Sequence, residues 1–299
     1  MNKIDDRRKL DKYINNTNKY KSQDTQFNSI TADMNVVNII LRHFNHTHPD
    51  MNALESVIDS NFLTDKLHGL IDNLPKNQHK RCIIDAKVSG AHFAAANIFK
   101  DDEGNTSVIC IDSSLGHNPH ITSRLNNINS PEKKIRTLYI FSQIQNSPAD
   151  CLLFSLHFLK KMQKHSQHFI NLHQKIFQDE IAFSSKNNEL YTPKIKSESD
   201  QSCLFWRMVY FNQAINLLPI DFFKHANSIN PINAYLAHHP DEANIKVNKW
   251  NKGETLRERY ERHTVTRMIE NKQRTYSASI EEKRLSLAQA ALRWLNENG

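Results

Sequence analysis

Residues 80–112 have the sequence KRCIIDAKVSGAHFAAANIFKDDEGNTSVICID, and the pattern of this segment determines the expected class of fold. Three runs in it are rich in β-branched and apolar residues, and the glycine-containing turn DDEGN separates the last two. Such runs predict a strand followed by a β-hairpin, with strands at Lys80–Ala86, Ala91–Phe99 and Thr106–Ile111. Another strand is predicted at Leu138–Gln145. The segment therefore predicts a small sheet in the first half of the chain.

Helices are predicted before and after these strands. Apolar residues recur at helical spacing over residues 33–45, and a second helix is predicted over Asn52–Asp72. After the turn NSPAD, the sequence CLLFSLHFLKKMQKH predicts a buried helix that begins at Cys151, with Asp150 able to cap it. The following residues are predicted to be mostly helical, with a polar loop at Lys194–Ser202 and an amphipathic final helix.

Composition argues against several classes of protein. The 299 residues include four widely spaced cysteines without a CxxC pair, so neither a disulfide framework nor a metal site is expected. Neither GxGxxG nor GxxxxGK[ST] occurs, and glycine-loop nucleotide binding is therefore unsupported. A membrane span is not expected either, because no stretch of about 18 apolar residues is present.

Charge and polarity are distributed unevenly along the chain. The formal net charge is +7, and Lys and Arg are dense from Lys246 to Arg293, which predicts a region that binds an anion. A nucleic acid, an acidic membrane face or a polyphosphate would each fit that region. Residues 1–31 are rich in Asn, Lys, Thr, Ser and Gln, and we expect them to form a disordered lead.

Three residues in the predicted sheet and helix fit the needs of acyl transfer. Cys151 is the candidate nucleophile, because the N-terminus of a helix favours the thiolate. His92, at the start of the middle strand, is the candidate base, and Asp112, just after the third strand, is the candidate acid that orients it. Gln145 and the Cys151 N–H are candidate donors to the oxyanion. This chain order is that of the ubiquitin-like-protein and adenovirus-type cysteine proteases.

Structural roles are the alternative for each of these residues. Cys151 is followed by Leu152, Leu153 and Phe154, which is also typical of a small buried hydrophobe. His92 is one of 16 histidines, and Asp112 is equally typical of a turn. Spacing alone does not separate these roles from catalysis.

Two longer segments resemble the YopJ family of type III effector acetyltransferases. GAHFAAANIFKDDEGNTSVICID (90–112) and SPADCLLFSLHFLKKM (147–162) look like the family's catalytic segments, which carry the histidine, the acid and the cysteine. Two positions differ, because Leu152 replaces the usual glycine after the cysteine and Asp112 replaces the more frequent glutamate. The resemblance implies an α+β, cysteine-protease-like core of the ubiquitin-like-protein protease type. Its small mixed sheet is flanked by helices, and a helical regulatory lobe is added to it.

The resemblance also implies an activity and an activator. Family members use acetyl-CoA to acetylate Ser, Thr or Lys side chains of host kinases or defence proteins, and inositol hexakisphosphate activates them. The chain would then take an acetyl group on Cys151 and pass it on. Ser277 and Ser279 resemble a self-acetylated stretch. The candidate ligands for the polyanion are Lys249, Arg259, Arg267, Lys283 and Arg284.

The same resemblance divides the chain and places it in the cell. Residues 1–31 would be a secretion lead, 32–190 the catalytic core, and 191–299 a regulatory lobe that packs on the core together with helix 33–45. Type III secretion would deliver the protein to the host cytoplasm.

Two other functions compete with this interpretation. A deubiquitinase or ubiquitin-like-protein protease would use the same triad with water as the acceptor. A basic nucleic-acid-binding protein, or an inactive effector that only binds a partner, would explain the charge alone. The chain has no zinc-finger, RRM or basic-zipper pattern, and we therefore expect no nucleic-acid partner.

Overall fold

A mixed β-sheet with helices on both faces forms the centre of the protein. The computed structural model describes residues 3–22, 30–85, 92–114, 119–130, 132–147, 149–181, 183–184, 190–191, 208–248, 253–269 and 272–298. Its α-helices are α1 (Lys3–Ser22), α2 (Ile30–Thr47), α3 (Leu63–Asp72), α4 (Pro119–Ile128), α5 (Cys151–Lys164), α6 (Ser166–Phe177), α7 (Phe211–Leu217), α8 (Ile229–His238), α9 (Leu256–Arg262) and α10 (Ser279–Glu297). Its strands are β1 (Ala53–Asp59), β2 (Gln78–Asp85), β3 (Phe93–Lys100), β4 (Thr106–Asp112), β5 (Ile135–Phe141), β6 (Phe183–Ser184), β7 (Leu190–Tyr191), β8 (Met208–Val209), β9 (Thr264–Ile269) and β10 (Lys272–Ser277).

Six of the strands form one sheet in the order β1-β2-β3-β4-β5-β8. The central β2-β3-β4 part is antiparallel, whereas β1 pairs parallel to β2, β5 to β4 and β8 to β5. Successive side chains of a strand point to opposite faces. In β4, Ile109 and Ile111 face the core that α2, α5 and α10 cover, and Val108 and Cys110 face the core under α3 and α4. The predicted α+β class, with a mixed sheet flanked by helices, is confirmed.

The strands predicted between residues 80 and 112 are confirmed as β2, β3 and β4. The strand predicted at Leu138–Gln145 is shifted, because β5 begins at Ile135 and ends at Phe141. Gln143 has a φ of 49°, in the left-handed region, which an extended strand cannot contain. Sequence pattern located the strand but not its ends.

The helix predicted over Asn52–Asp72 is wrong in its first half. Asn52 adopts a left-handed conformation with a φ of 43°, and the chain then enters β1. β1 is the edge strand of the sheet, and its middle residues Glu55 and Ser56 are exposed. Half of the strand therefore lacks the apolar alternation that identifies a strand in sequence.

Helix α1 corrects the prediction of a disordered lead for Lys3–Ser22, whereas residues 23–29 lie outside the described part of the chain. Leu10 and Tyr13 are buried, and α1 packs against α2 and α10. Arg42 Nη2 of α2 also lies 2.8 Å from Asp6 Oδ2 of α1. A narrow apolar stripe is enough to dock a helix even when its average composition is polar.

The predicted helical lobe over 191–299 shares its core with the rest of the protein. β8 completes the central sheet, and β9 and β10 form an antiparallel hairpin, so the segment is not purely helical. Leu287 and Ala291 of α10 lie in the same apolar core as Leu156 of α5. The predicted loop at Lys194–Ser202 lies outside the described residues. Within the described part of the chain, no helix is long and apolar enough to cross a bilayer.

Candidate active site

Three elements meet at one edge of the sheet. β3 and β4 are antiparallel, with Ala95 opposite Ile111, so the start of β3 lies beside the end of β4. His92 immediately precedes β3, and Asp112 is the last residue of β4. α5 packs across β3 and brings its first residue, Cys151, to the same edge. The three predicted catalytic residues are therefore brought together.

Asp112 is a fully buried acceptor with three donors. Its Oδ2 lies 2.8 Å from His92 Nε2 and accepts a hydrogen bond of 2.5 Å from the Tyr139 hydroxyl. Its Oδ1 accepts from the backbone N–H of Ser114 at 2.8 Å. Burial by itself would raise the pKa of Asp112, but the hydrogen bonds from His92, Tyr139 and Ser114 hold it below the usual value. Asp112 is therefore an ionised carboxylate at neutral pH.

His92 interacts with both other members of the triad. Burial would lower its pKa, but hydrogen bonds with Asp112 and with Cys151 outweigh burial and raise the pKa to about 10. Because Nε2 faces Asp112, Nδ1 is the ring nitrogen left to face the sulfur. Cys151 itself is 2% exposed. A protonated imidazole beside a cysteine favours the thiolate, which is the nucleophile.

Gln145 lies in the buried loop that connects β5 to α5. Its Nε2 donates to the Ser147 carbonyl at 2.6 Å, and its Oε1 accepts from the Ser113 hydroxyl at 2.6 Å. An amide nitrogen carries two N–H groups, so one remains for a further acceptor. The role of Gln145 as an oxyanion donor stays a prediction.

Asp150 and Leu152, the residues on either side of Cys151, are both buried. Asp150 was predicted to cap α5, but its side chain makes no capping hydrogen bond. Its carboxylate instead accepts from the Ser147 hydroxyl at 2.5 Å and from Arg284 at 2.7 Å. Leu152 is fully buried in the core that α5 shares with α2 and α10.

Two of the arginines predicted to bind a polyanion already have carboxylate partners. Arg284 is 2% exposed and contacts Asp33 and Asp150. Arg267 is 8% exposed and lies 2.8 Å from Glu281. Both side chains also line a cavity of about 130 Å³, and their roles as polyanion ligands stay predictions.

The remaining predictions in this part of the chain have different outcomes. Ser277 and Ser279, in the stretch that resembles a self-acetylated one, are both 1% exposed. Lys249 lies outside the described residues. Lys283 does line a basic cavity.

That cavity, of about 270 Å³, lies between α5, the start of α10 and the segment that precedes α8. We call it the basic cavity, and its lining includes Lys160, Lys161, Lys164, Lys224 and Lys283, with His48, His157, Gln163 and His225. Four of these lysines were not predicted from sequence. Three of them stand in the sequence LKKMQK on α5, and that local cluster was the signal available.

Positive charge is crowded around the basic cavity. Burial, and then the neighbouring cations Arg259, Lys161 and Lys283, lower the pKa of Lys224 to about 7. Burial and the neighbouring cations likewise lower the pKa of Lys283 to about 8. Within the described residues, neither Lys224 nor Lys283 forms an ion pair with a carboxylate. Arg259 therefore stays a candidate ligand, because its charge acts on both lysines.

Asp221 offsets part of this charge. Its carboxylate lies 2.8 Å from Lys161 Nζ, 2.6 Å from Lys164 Nζ and 2.8 Å from His165 Nε2. Burial would raise the pKa of Asp221, but His165 and the two lysines hold it well below its usual value. One carboxylate facing several cations leaves the cavity able to accept more negative charge.

The sequence profile of the family described as YopJ Serine/Threonine acetyltransferase matches residues 10–290. The chain belongs to the YopJ acetyltransferase family. Members of this family are type III effectors that act in host cells. The comparison with curated proteins gave no match.

Solved structures of YopJ-family effectors share the fold over nearly the whole chain. The structure described as AvrA delL154 with IP6 and CoA is 19% identical, with a TM-score of 0.74, and covers 98% of this chain and 99% of that one. HopZ1a in complex with IP6 is 16% identical, with a TM-score of 0.72 and 99% of both chains covered. HopZ1a in complex with IP6 and CoA is 17% identical, with a TM-score of 0.70 and 98% of both chains covered. The predicted fold is confirmed as that of this family.

Proposed function

We propose that this YopJ-family protein transfers an acetyl group from acetyl-CoA, through Cys151, to Ser, Thr or Lys side chains of host signalling proteins. One observation carries the proposal: His92 is hydrogen-bonded to both Asp112 and Cys151 in a chain of an acetyltransferase family. The order carboxylate, imidazole and sulfur is the arrangement that nucleophilic acyl transfer requires.

The first half-reaction loads the cysteine. The Cys151 thiolate attacks the carbonyl carbon of the thioester, and the new S–C bond forms a tetrahedral intermediate. Gln145 Nε2 and the backbone N–H of Cys151 are the proposed donors to its oxyanion. The C–S bond to coenzyme A then breaks, and His92 gives its proton to the departing thiolate.

The second half-reaction transfers the acetyl group to the acceptor. Neutral His92 takes a proton from the acceptor hydroxyl or amine, whose oxygen or nitrogen then attacks the acetyl carbon. Cys151 leaves as a thiolate, and His92 is again an imidazolium. The buried carboxylate of Asp112 stabilises that cation at each stage, because the two groups share a hydrogen bond of 2.8 Å.

Inositol hexakisphosphate is the activator that we propose for the basic cavity. Phosphate groups bring negative charge to Lys160, Lys224 and Lys283, and burial together with neighbouring cations lowers the pKa of the last two. Solved structures of AvrA and HopZ1a, which share this fold, contain this polyanion, and two of them contain CoA. We further propose type III secretion into the host cytoplasm as the route to the substrates.

Intact-mass spectrometry tests the proposal. Incubation with acetyl-CoA and inositol hexakisphosphate should add an acetyl group to the wild-type protein, and peptide mapping should place it on Cys151 at short times. Cys151→Ala should show no such thioester, and omission of the polyanion should slow loading. Absence of acetyl groups on the enzyme and on every added protein would defeat the proposal. Cleavage of a ubiquitin-like conjugate under the same conditions would support the protease alternative.

A further inference from the structure

Arg284 lies between two buried carboxylates from distant parts of the chain. Its Nη2 lies 2.7 Å from Asp150 Oδ1, and its Nε lies 3.2 Å from Asp33 Oδ1. Asp33 belongs to α2, Arg284 to α10, and Asp150 directly precedes α5. The Tyr13 hydroxyl of α1 donates a hydrogen bond to Asp33. We call these four residues the buried charge cluster.

The charges in this cluster stabilise one another. Arg284, Asp33 and Asp150 are at most 3% exposed. Burial would lower the pKa of Arg284, but Asp150 and Asp33 raise it above the usual value, so the guanidinium stays charged. Buried ion pairs of this kind add little net stability compared with apolar packing, but they fix the positions of the groups they join.

The cluster fixes the position at which α5 begins. Arg284 and the Ser147 hydroxyl bind the two carboxylate oxygens of Asp150, so this side chain cannot turn to cap the helix. The Asp150 carbonyl in turn accepts the helical hydrogen bond from Phe154 N–H at 3.0 Å. Cys151 directly follows Asp150, whose side chain is fixed by Arg284 and whose carbonyl is fixed by Phe154 N–H. Asp150 therefore sets the position of the Cys151 sulfur relative to His92.

The same turn of α10 also contributes to the basic cavity. Lys283 lines the cavity, and the next residue, Arg284, points into the buried charge cluster. A ligand that binds Lys283 and shifts its backbone therefore also shifts the turn of α10 from which Arg284 contacts Asp150. No catalytic step uses Arg284, Asp33 or Tyr13, so the triad does not account for the cluster.

We propose that Arg284 is a positioning residue that aligns Cys151 with His92 and transmits occupancy of the basic cavity to Cys151. The transmission rests on the proposed function, because it takes inositol hexakisphosphate as the cavity's ligand. The positioning role does not depend on acetyl-CoA. Through its hydrogen bond to Asp33, Tyr13 connects α1 to the buried charge cluster.

Alkylation of Cys151 by iodoacetamide, followed by peptide mass spectrometry, measures this positioning directly. Burial raises the pKa of the Cys82 thiol to about 12 and that of the Cys110 thiol well above its usual value, so these thiols should stay unmodified. The variants are Asp150→Asn, which keeps the side-chain shape but removes the charge, and Arg284→Lys, which keeps the charge but removes the guanidinium fork. Each is measured with and without inositol hexakisphosphate.

Wild-type protein should change its alkylation rate when inositol hexakisphosphate binds. Asp150→Asn should alkylate about tenfold more slowly and lose that response, since small displacements of a reacting group have effects of this size. Arg284→Lys should alkylate faster than Asp150→Asn but more slowly than the wild-type protein. Calorimetric affinity for the polyanion should stay within about twofold in both variants, because the lysines of the basic cavity are unchanged. Glu281→Gln is the matched control, because it removes the carboxylate partner of Arg267 from the same helix and should leave alkylation unchanged.

Several results would overturn the inference. These are an unchanged alkylation rate and response in Asp150→Asn, or an equal loss in Glu281→Gln. Loss of a cooperative unfolding transition in both variants also counts against it, because the cluster would then hold the fold and not the cysteine. Failure of the acetyl-transfer proposal is seen separately, as wild-type protein that alkylates normally but takes no acetyl group from acetyl-CoA.

Discussion

The Tyr139 hydroxyl lies 2.5 Å from Asp112 Oδ2, the same oxygen that faces His92. This contact comes from the middle of β5, two residues from the strand's end, and it was not predicted from sequence. It gives a buried carboxylate a second donor on the oxygen that orients the imidazole. Tyr139 thus controls how firmly Asp112 holds His92.

Tyr139→Phe should weaken both the fold and the activity. A hydrogen bond to a buried charged group contributes about 1.5–3 kcal/mol, so urea titration should show a loss of unfolding free energy in that range. The acetylation rate should fall about tenfold, because the triad's carboxylate becomes less firmly placed. The ring of residue 139 lies 4.6 Å from the ring of Phe141, centroid to centroid, and phenylalanine keeps this contact. The variant therefore removes the hydroxyl without removing the ring packing. Wild-type values in both measurements would show that Tyr139 has no such role.

His92 should make a pH-dependent contribution to stability. Its pKa is raised from 6.5 to about 10 in the folded protein, so the folded state binds the proton more tightly than the unfolded chain does. The contribution is therefore complete below about pH 6.5 and is lost as pH rises through about 10. Urea titrations of wild type and His92→Gln should show an unfolding free-energy difference that shrinks over this window. His238→Gln, at an exposed histidine outside the triad, is the control substitution.

Lys224→Gln should stabilise the protein without ligand and weaken its binding of inositol hexakisphosphate. The folded protein lowers the pKa of Lys224 from 10.5 to about 7, so charging this lysine opposes folding. The advantage of the variant should be complete below about pH 7 and disappear by about pH 10.5. Its affinity for the polyanion should fall about tenfold or more, because a charged hydrogen bond is worth about 1.5–3 kcal/mol.

Thermal unfolding and calorimetry measure the two effects of Lys224→Gln separately. Lys175→Gln, at an exposed lysine of α6, is the control and should change neither. A variant that is destabilised without ligand, or that binds the polyanion normally, would contradict the assignment of the basic cavity.

Leu10→Ala tests whether α1 is part of the fold. Leu10 is fully buried, and replacing a buried leucine by alanine costs about 2–5 kcal/mol of unfolding free energy. Ile4→Ala, on the same helix but at a residue that is 76% exposed, should have little effect. Equal and small effects of both substitutions would restore the view that the N-terminal residues are a dispensable lead.

Local sequence pattern predicted the parts of the site that lie within short segments. The hairpin β3–β4 follows from β-branched runs and a glycine turn, and it brings His92 beside Asp112 without any long-range information. The start of α5 at Cys151 was equally visible, because a turn sequence precedes an apolar helical run. Resemblance to the family then connected these segments.

Features built from distant or weakly patterned segments could not be predicted in this way. α1 presents only a narrow apolar stripe in a polar sequence, and β1 is an edge strand with exposed residues in its middle. The basic cavity combines lysines from α5, α10 and the residue Lys224, and only the folded chain brings them together. Lys283 lines the basic cavity, whereas its neighbour Arg284 is buried between two carboxylates, and a count of basic residues cannot distinguish these positions.

Asp33 and Arg284 are 251 positions apart in the chain, so Asp33 gains its cation only when almost the entire polypeptide has left the ribosome. Before Met208 and Val209 are synthesised, β5 also lacks its neighbour β8, and such a shorter nascent chain exposes both a bare carboxylate and an open sheet edge. Prematurely terminated products should consequently be inert and prone to aggregate.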